Sequence, residues 1–345
     1  MGRGDPPRRG ARGLTAAAWD AAGEWYHAWF TGAVLACVTQ RGEADAAALL
    51  FRVFRRQQAE TFLPGLRKLG LEGLPPAIAA ARYHYLSNFI GGVGVEYVED
   101  GPRKAWIRYP PPRWIWSGTA ICGIPRAVNE AMLRGWHANN GVMLGCPRLA
   151  FVCTGQTVAG DPGLEGYFIE EARDLDESER LRFSAAESMP RFDAAAAPRL
   201  PAADWPAERV ARAKRNYAMT YCRTLLQEAF ALLGAAEARA VLGHAARLVG
   251  MQHVRATAAA LGAAGFVAFV VALARAEGDD AEVVAQPDGS VIVTRWGCAL
   301  LDGIADAEPA MTDAWECLLA GALAAWDRFA RLERVAPYGW RVTPG

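Results

Sequence analysis

The chain has no close cysteine pair, no paired metal-ligating histidines and no excess of either charge. Its seven cysteines, at 37, 122, 146, 153, 222, 298 and 317, show no CxxC spacing. That argues against a disulfide framework or zinc ribbon and for reduced thiols in a cytoplasm. The five histidines, at 27, 84, 137, 244 and 253, include neither HxH nor HExxH. Zinc needs three or four convergent ligands, so no metal site is assigned. Lys plus Arg total 37 and Asp plus Glu also total 37. Such a balance gives no net field to draw in nucleic acid or an acidic membrane surface, and the basic residues form no stripe. Gly91, Gly92 and Gly94 ("GGVG") stand before a strand-like run. A dinucleotide loop follows a strand and opens a helix, so these glycines read as a turn and no cofactor is specified.

Residues 1–13, "MGRGDPPRRGARG", lack the apolar core of a secretory signal, and Pro6 stands where a myristoylation site needs Ser or Thr. They are expected to be a disordered tail. Thr257 to Ala274 is just long enough and apolar enough to suggest a membrane span. Its wealth of Ala and Gly makes a buried core helix the better reading. The expected partners are a small-molecule ligand and, as a possible homo-oligomer, other copies of the chain. Neither nucleic acid nor membrane is expected.

What is present is a doubling. "RGEADAAALLFRVFRRQQAETF", beginning at Arg41, parallels "LGAAEARAVLGHAARLVGMQHV", beginning at Leu233. Upstream of each lies a further helical pattern, "WYHAWFTGAVLACV" and "NYAMTYCRTLLQEAF". Downstream, alternating residues flank Asp100-Gly101 in the first copy and Asp288-Gly289 in the second, the strongest local sign of a hairpin. A helix with Pro near its start follows each hairpin, and each copy closes on two more strand-like runs. The period, from Gly42 to Gly234, is far too long for a solenoid and indicates a domain duplication. The expected fold is α+β: two tandem copies of a helices–hairpin–helix–hairpin unit packed as a pseudo-dimer. The reading sets a first repeat at 14–172, a linker at 173–205 and a second repeat at 206–345.

The copies differ in chemistry. The first carries Tyr83, His84, Tyr85 and Asn88 on one helix, whereas the matching "AAGFVAFVVALARAEG" has nothing ionisable before Arg275. His84 and Asn88, four apart, share a helix face, where an imidazole can move a proton and an amide can fix its tautomer. "GWHANNG" gathers Trp136, His137, Asn139 and Asn140 at a helix end. Arg108 and Arg295 stand beside Tyr109 and Trp296 at strand ends that look equivalent, and a guanidinium there could fork onto a carboxylate. Trp106 and Trp114 are candidate pocket walls. Cys122, just before a helix start, heads the candidate nucleophiles, because a helix N-terminus favours the thiolate. Cys146, Cys153, Cys298 and Cys317 rank below it, since free cysteines are commonly buried and inert.

The succession of amphipathic helices, the hairpin ending in "TRWGCAL" at Cys298, the helix with Cys317 and the final hairpin resemble the L-2-amino-thiazoline-4-carboxylic acid hydrolase family and the related 4-vinyl reductase domain. "GDPGLEGYFI" from Gly160 is similar to the closing Gly-Asp-x-x-Cys-x-Phe run of such domains, with Leu164 or Glu165 where the Cys would be. The hydrolase resemblance implies ring-opening of a C–N bond in a small heterocycle. The sister domain implies small-ligand sensing or pigment chemistry. The functional expectation is therefore C–N hydrolysis with His84 or His137 moving protons, Cys122 as nucleophile, and Asn88, Arg108, Trp106, Trp136, Asn139 and Asn140 binding substrate. The alternatives are a non-catalytic ligand-binding or sensory module and a structural subunit of a larger complex.

Overall fold

A computed structural model describes residues 15–111, 123–304 and 307–345. In chain order the elements are α1 (Ala16–Arg41), α2 (Glu43–Lys68), α3 (Pro76–Ile90), β1 (Glu96–Glu99), β2 (Lys104–Tyr109), α4 (Arg126–Gly135), the single turn α5 (Asn140–Met143), β3 (Leu149–Gly155), β4 (Leu164–Glu170) and β5 (Leu181–Phe183). There follow α6 (Ala207–Leu233), α7 (Ala235–Ala260), α8 (Phe266–Glu277), β6 (Ala281–Ala285), β7 (Val291–Arg295), α9 (Pro309–Trp326), β8 (Arg331–Ala336) and β9 (Gly339–Thr343). The fold is α+β, and the helices-then-sheet succession runs twice. The first sheet has the order β1-β2-β4-β3-β5 and the second β6-β7-β9-β8. Within each, the last strand of the second hairpin pairs with the last strand of the first hairpin, so four antiparallel strands share one topology. The apolar run Thr257 to Ala274, read from sequence as one buried core helix, is instead broken by a turn at 261–265 between α7 and α8, and among the described residues no helix is long and apolar enough to cross a membrane.

Two compact units partition the chain, one of 37–206 and one made of 1–36 with 207–345. The boundary differs from the repeat boundary read from sequence, because α1 up to Ala36 groups with the later unit. The cause is its aromatic stripe. Trp25 meets Phe269 edge-on at 5.4 Å, Trp29 donates to the Leu242 carbonyl at 3.2 Å, and the Tyr26 hydroxyl donates to Glu277 at 2.8 Å.

In the 37–206 unit, strand alternation separates two faces of the sheet. Ala105, Ile107 and Tyr109 lie opposite Phe168, Gly166 and Leu164, and Phe151 lies opposite Phe168, all on the face beneath the helices. Trp106 opposes Tyr167 and Val152 opposes the same Tyr167 on the other face. That outer face is covered by the stretch read from sequence as a linker, 173–205. It contributes β5, parallel to β3, then lays Met189 and Phe192 against Trp106, Val152 and Tyr167. Glu187 accepts from Tyr167 Oη at 2.8 Å, and the Met189 N–H donates to Glu165 at 2.9 Å. Apolar residues at irregular spacing within a Pro- and Ala-rich run gave no period by which to recognise a sheet cover.

In the other unit, α7 and α9 cross at glycines. A Cβ on Gly321 would lie 2.0 Å from the Arg247 carbonyl oxygen, and one on Gly250 would lie 2.2 Å from that of Leu318. Beneath them β7 turns Val293 and Arg295 inward. Arg295 is fully buried, ion-paired to Glu277 and to Asp279 at 3.0 Å, with its guanidinium 5.1 Å over the Trp315 ring. Burial alone would lower the guanidinium, but the carboxylate of Glu277 holds it above its ordinary value. Trp315 Nε1 donates to Tyr26 Oη at 3.1 Å, closing a polar centre drawn from α1, α8, β7 and α9.

Gly321→Ala must push backbone apart at the α7–α9 crossing. The expected loss is about 1–3 kcal/mol, the usual cost of overpacking, read as a shift in the urea midpoint at constant slope, whereas Gly289→Ala in the hairpin turn leaves that crossing intact.

Candidate functional site

The polar residues of the 37–206 unit converge under the helical face of its sheet. Helix α3 is pre-organised at its start by Pro76 and packs through Ala77, Ile78, Ala79, Ala80 and Ala81, all buried. Small side chains let it lie close to β2 and β4 and carry His84 to the sheet, where its ring stacks on Phe168 at 5.5 Å. His137 arrives from another direction. Helix α4 approaches α2 so closely that a Cβ on Gly135 would stand 2.7 Å from the Phe51 carbonyl oxygen. Arg55 of α2 then donates from Nε to the Gly135 carbonyl at 2.9 Å and from Nη2 to that of Arg134 at 3.0 Å. The terminal carbonyls of α4 are thereby satisfied and the chain turns through His137–Asn139.

The two imidazoles are nearly parallel, 4.2 Å apart between ring centres at 16°, and His137 lies 4.6 Å from Phe151 and parallel to Phe168. His84 is 3% exposed and His137 4%. A directed chain of hydrogen bonds ends at His84. Asn139 Nδ2 donates to Gln58 Oε1 at 2.7 Å and Gln58 Nε2 donates to Asn140 Oδ1 at 3.1 Å. Asn140 Nδ2 therefore faces His84 Nε2, at 3.0 Å, as the donor. This assigns the ring proton to Nδ1, which donates to Tyr109 Oη at 3.1 Å. Trp136 completes the aromatic wall 6.0 Å from His84. Its indole Nε1 is buried and makes no hydrogen bond among the described residues.

Of the residues named from sequence, His84, His137, Trp136, Asn139 and Asn140 come together. Asn88 is buried on α3, but its amide donates to the His84 carbonyl at 2.8 Å; the amide that fixes the tautomer belongs to Asn140. Trp106 and Arg108 lie on the outer face of the sheet. Trp106 Nε1 donates to Asp100 at 3.1 Å, and Arg108 Nε donates to Glu96 at 2.6 Å with Nη1 3.4 Å from Glu165. The likeness between Arg108 and Arg295 fails by one residue, which on a strand means the opposite face. Register equates Arg295 with Tyr109: each follows an inward residue of its strand, Val293 or Ile107, by two. Cys122 and Trp114 lie outside the described residues.

Gln58 and Tyr109 were missed as site residues. Gln58 occupies the buried stripe of α2 with Leu50, Phe54 and Phe62, and a glutamine on such a stripe is a readable sign of a buried polar partner. Tyr109 continues the inward alternation of β2. Of the second polar centre only Arg295 was named from sequence, and the carboxylates it meets belong to the chain itself; Tyr26, Glu277 and Asp279 were missed, since they lie far apart along the chain.

No known protein family, curated protein or solved structure matches the chain. Among the described residues no group of three or more His, Cys, Asp or Glu could hold a metal ion.

Burial raises the thiols: Cys153 and Cys298 are pushed up to about 12 and Cys37 to about 11. Alkylation at neutral pH followed by peptide mapping is expected to leave these three unmodified until the protein is unfolded. The tautomer assignment is checked by nitrogen-15 NMR of the histidine rings, with His84 expected to show a protonated Nδ1 and an unprotonated, accepting Nε2.

Proposed function

We propose that the 37–206 unit is a small-ligand-binding module centred on the His84–His137 pair. The observation that carries this reading is the convergence of two parallel imidazoles, an aromatic wall and a directed amide relay beneath one sheet face. Stacked rings favour a planar ligand, and the buried Trp136 N–H favours one with an acceptor atom at its edge. Both ring nitrogens of His84 are already engaged, so it acts by holding its surroundings in register.

Hydrolysis of a C–N bond in a small cyclic or amide-like compound is the second reading. The Tyr109–His84–Asn140 arrangement favours it, because a phenol held by the imidazole Nδ1–H can give its proton to a departing nitrogen as the C–N bond breaks, and the phenolate regains one from the water whose oxygen bonds to carbon. Cys122 stays a candidate nucleophile for this reaction only.

The test is thermal-shift screening against cyclic amides, amidines and 2-aminothiazoline carboxylates, followed by NMR of the mixtures for ring-opened product. Binding without product, weakened about tenfold or more in His137→Leu, is the outcome expected. Product formation abolished in His84→Ala, in protein that remains folded, would favour hydrolysis. Neither binding nor product across these classes would remove both readings.

A further inference from the structure

Among the described residues the two sheets have four edges, and three are strongly defended. On β1, Glu96 pairs with Arg108 and Glu99 with Arg82. β5 is three residues long, and its Arg182 pairs with Glu171. β8 carries Arg331, Glu333 and Arg334, and its pairing with β9 is broken by a bulge between Arg334 and Ala336. Short strands, charges and bulges are the usual means of keeping an edge from pairing with another chain. β6 has no bulge and a single charge, Glu282, beside two exposed valines. Its sequence is Ala-Glu-Val-Val-Ala, Val283 is 44% exposed and Val284 46%.

The direction of its free backbone groups follows from two bonds. The Trp296 N–H donates to the Asp280 carbonyl at 3.0 Å and the Gln286 N–H to that of Ser290 at 2.9 Å. Hydrogen-bonded pairs alternate along an antiparallel ladder, so even-numbered residues of β6 bond to β7. The N–H and C=O groups of Ala281, Val283 and Ala285 point away from it. The Ala281 N–H is taken by its own Asp280 carboxylate at 2.9 Å.

We propose that β6 pairs antiparallel with β6 of a second copy of this chain, about a two-fold axis at Val283. That register sets Val283 against Val283 and Ala281 against Ala285, all residues whose backbone groups face outward. It places Glu282 opposite Val284, so the strand's one charge meets no like charge. A shift of two residues that brought Glu282 onto its own copy would oppose two carboxylates. The contact is isologous and closes at two copies, because the remaining edges are defended. Its mass change and its register are both measurable.

Sedimentation equilibrium of the full chain is expected to give a dimer, and Val283→Lys to halve the mass with an unchanged circular dichroism spectrum. Val283→Cys is expected to cross-link on mild oxidation into a two-chain species absent from the wild type, and Glu282→Cys to do so far less. The Cys variant also carries the test if Val283→Lys fails to fold. A wild-type chain that stays monomeric up to its solubility limit would overturn the proposal, as would a Val283→Lys dimer or a ladder of larger species.

Discussion

An imidazole taken out of water needs an answer for each ring nitrogen, and that need organises the 37–206 unit. His84 obtains a phenol from β2 on one side and an amide from the turn after α4 on the other. For the amide to donate, its oxygen must be occupied elsewhere, which draws in Gln58 of α2, whose own oxygen takes Asn139. Helices α2 and α3, the turn after α4 and strand β2 are thus tied to one ring. Leaving a buried partner unanswered costs about 1–3 kcal/mol, so the members are held together as a set more than as separate contacts.

The other unit solves the same packing problem with charge. Where Tyr109 rises from β2 to meet an imidazole, Arg295 rises from β7 to meet Glu277 and Asp279. A phenol bonded to a neutral ring can share or pass a proton. A guanidinium locked between carboxylates cannot, and breaking such a buried pair is strongly destabilising, by about 3–5 kcal/mol. The helices-then-sheet succession that runs twice therefore carries two unlike polar centres at corresponding strand positions. The polar residues of the later unit lie at the ends of α8 and β7, beyond the apolar run on which the contrast between the copies was read.

Periodicity made much of this legible. The hairpin turns at Gly101 and Gly289, the closing strands and the proline-led helices all stand where alternation and turn residues placed them. That Trp136, His137 and Asn140 meet His84 was not legible there, since membership of one copy does not place side chains in one pocket. What periodicity could not supply was facing. Ile-Arg-Tyr and Thr-Arg-Trp look alike as text, yet only strand register tells that the first arginine is outward and the second inward. The cover formed by 173–205 was equally hidden, because an extended segment packing by a few anchors has no repeat to detect. Partnerships between distant segments, such as Tyr26 with Glu277, leave no local trace at all.

That last partnership bears on how the chain is made. Synthesis delivers α1, with Trp25, Tyr26 and Trp29, well before Glu277 and Trp315, to which Tyr26 is tied and which lie 251 and 289 residues further on. At ordinary translation rates of about 5–20 residues per second, this aromatic stripe must wait many seconds on the ribosome while the intervening unit is built. The unit that joins α1 to residues 207–345 therefore cannot close until the 37–206 unit between its two parts has been made.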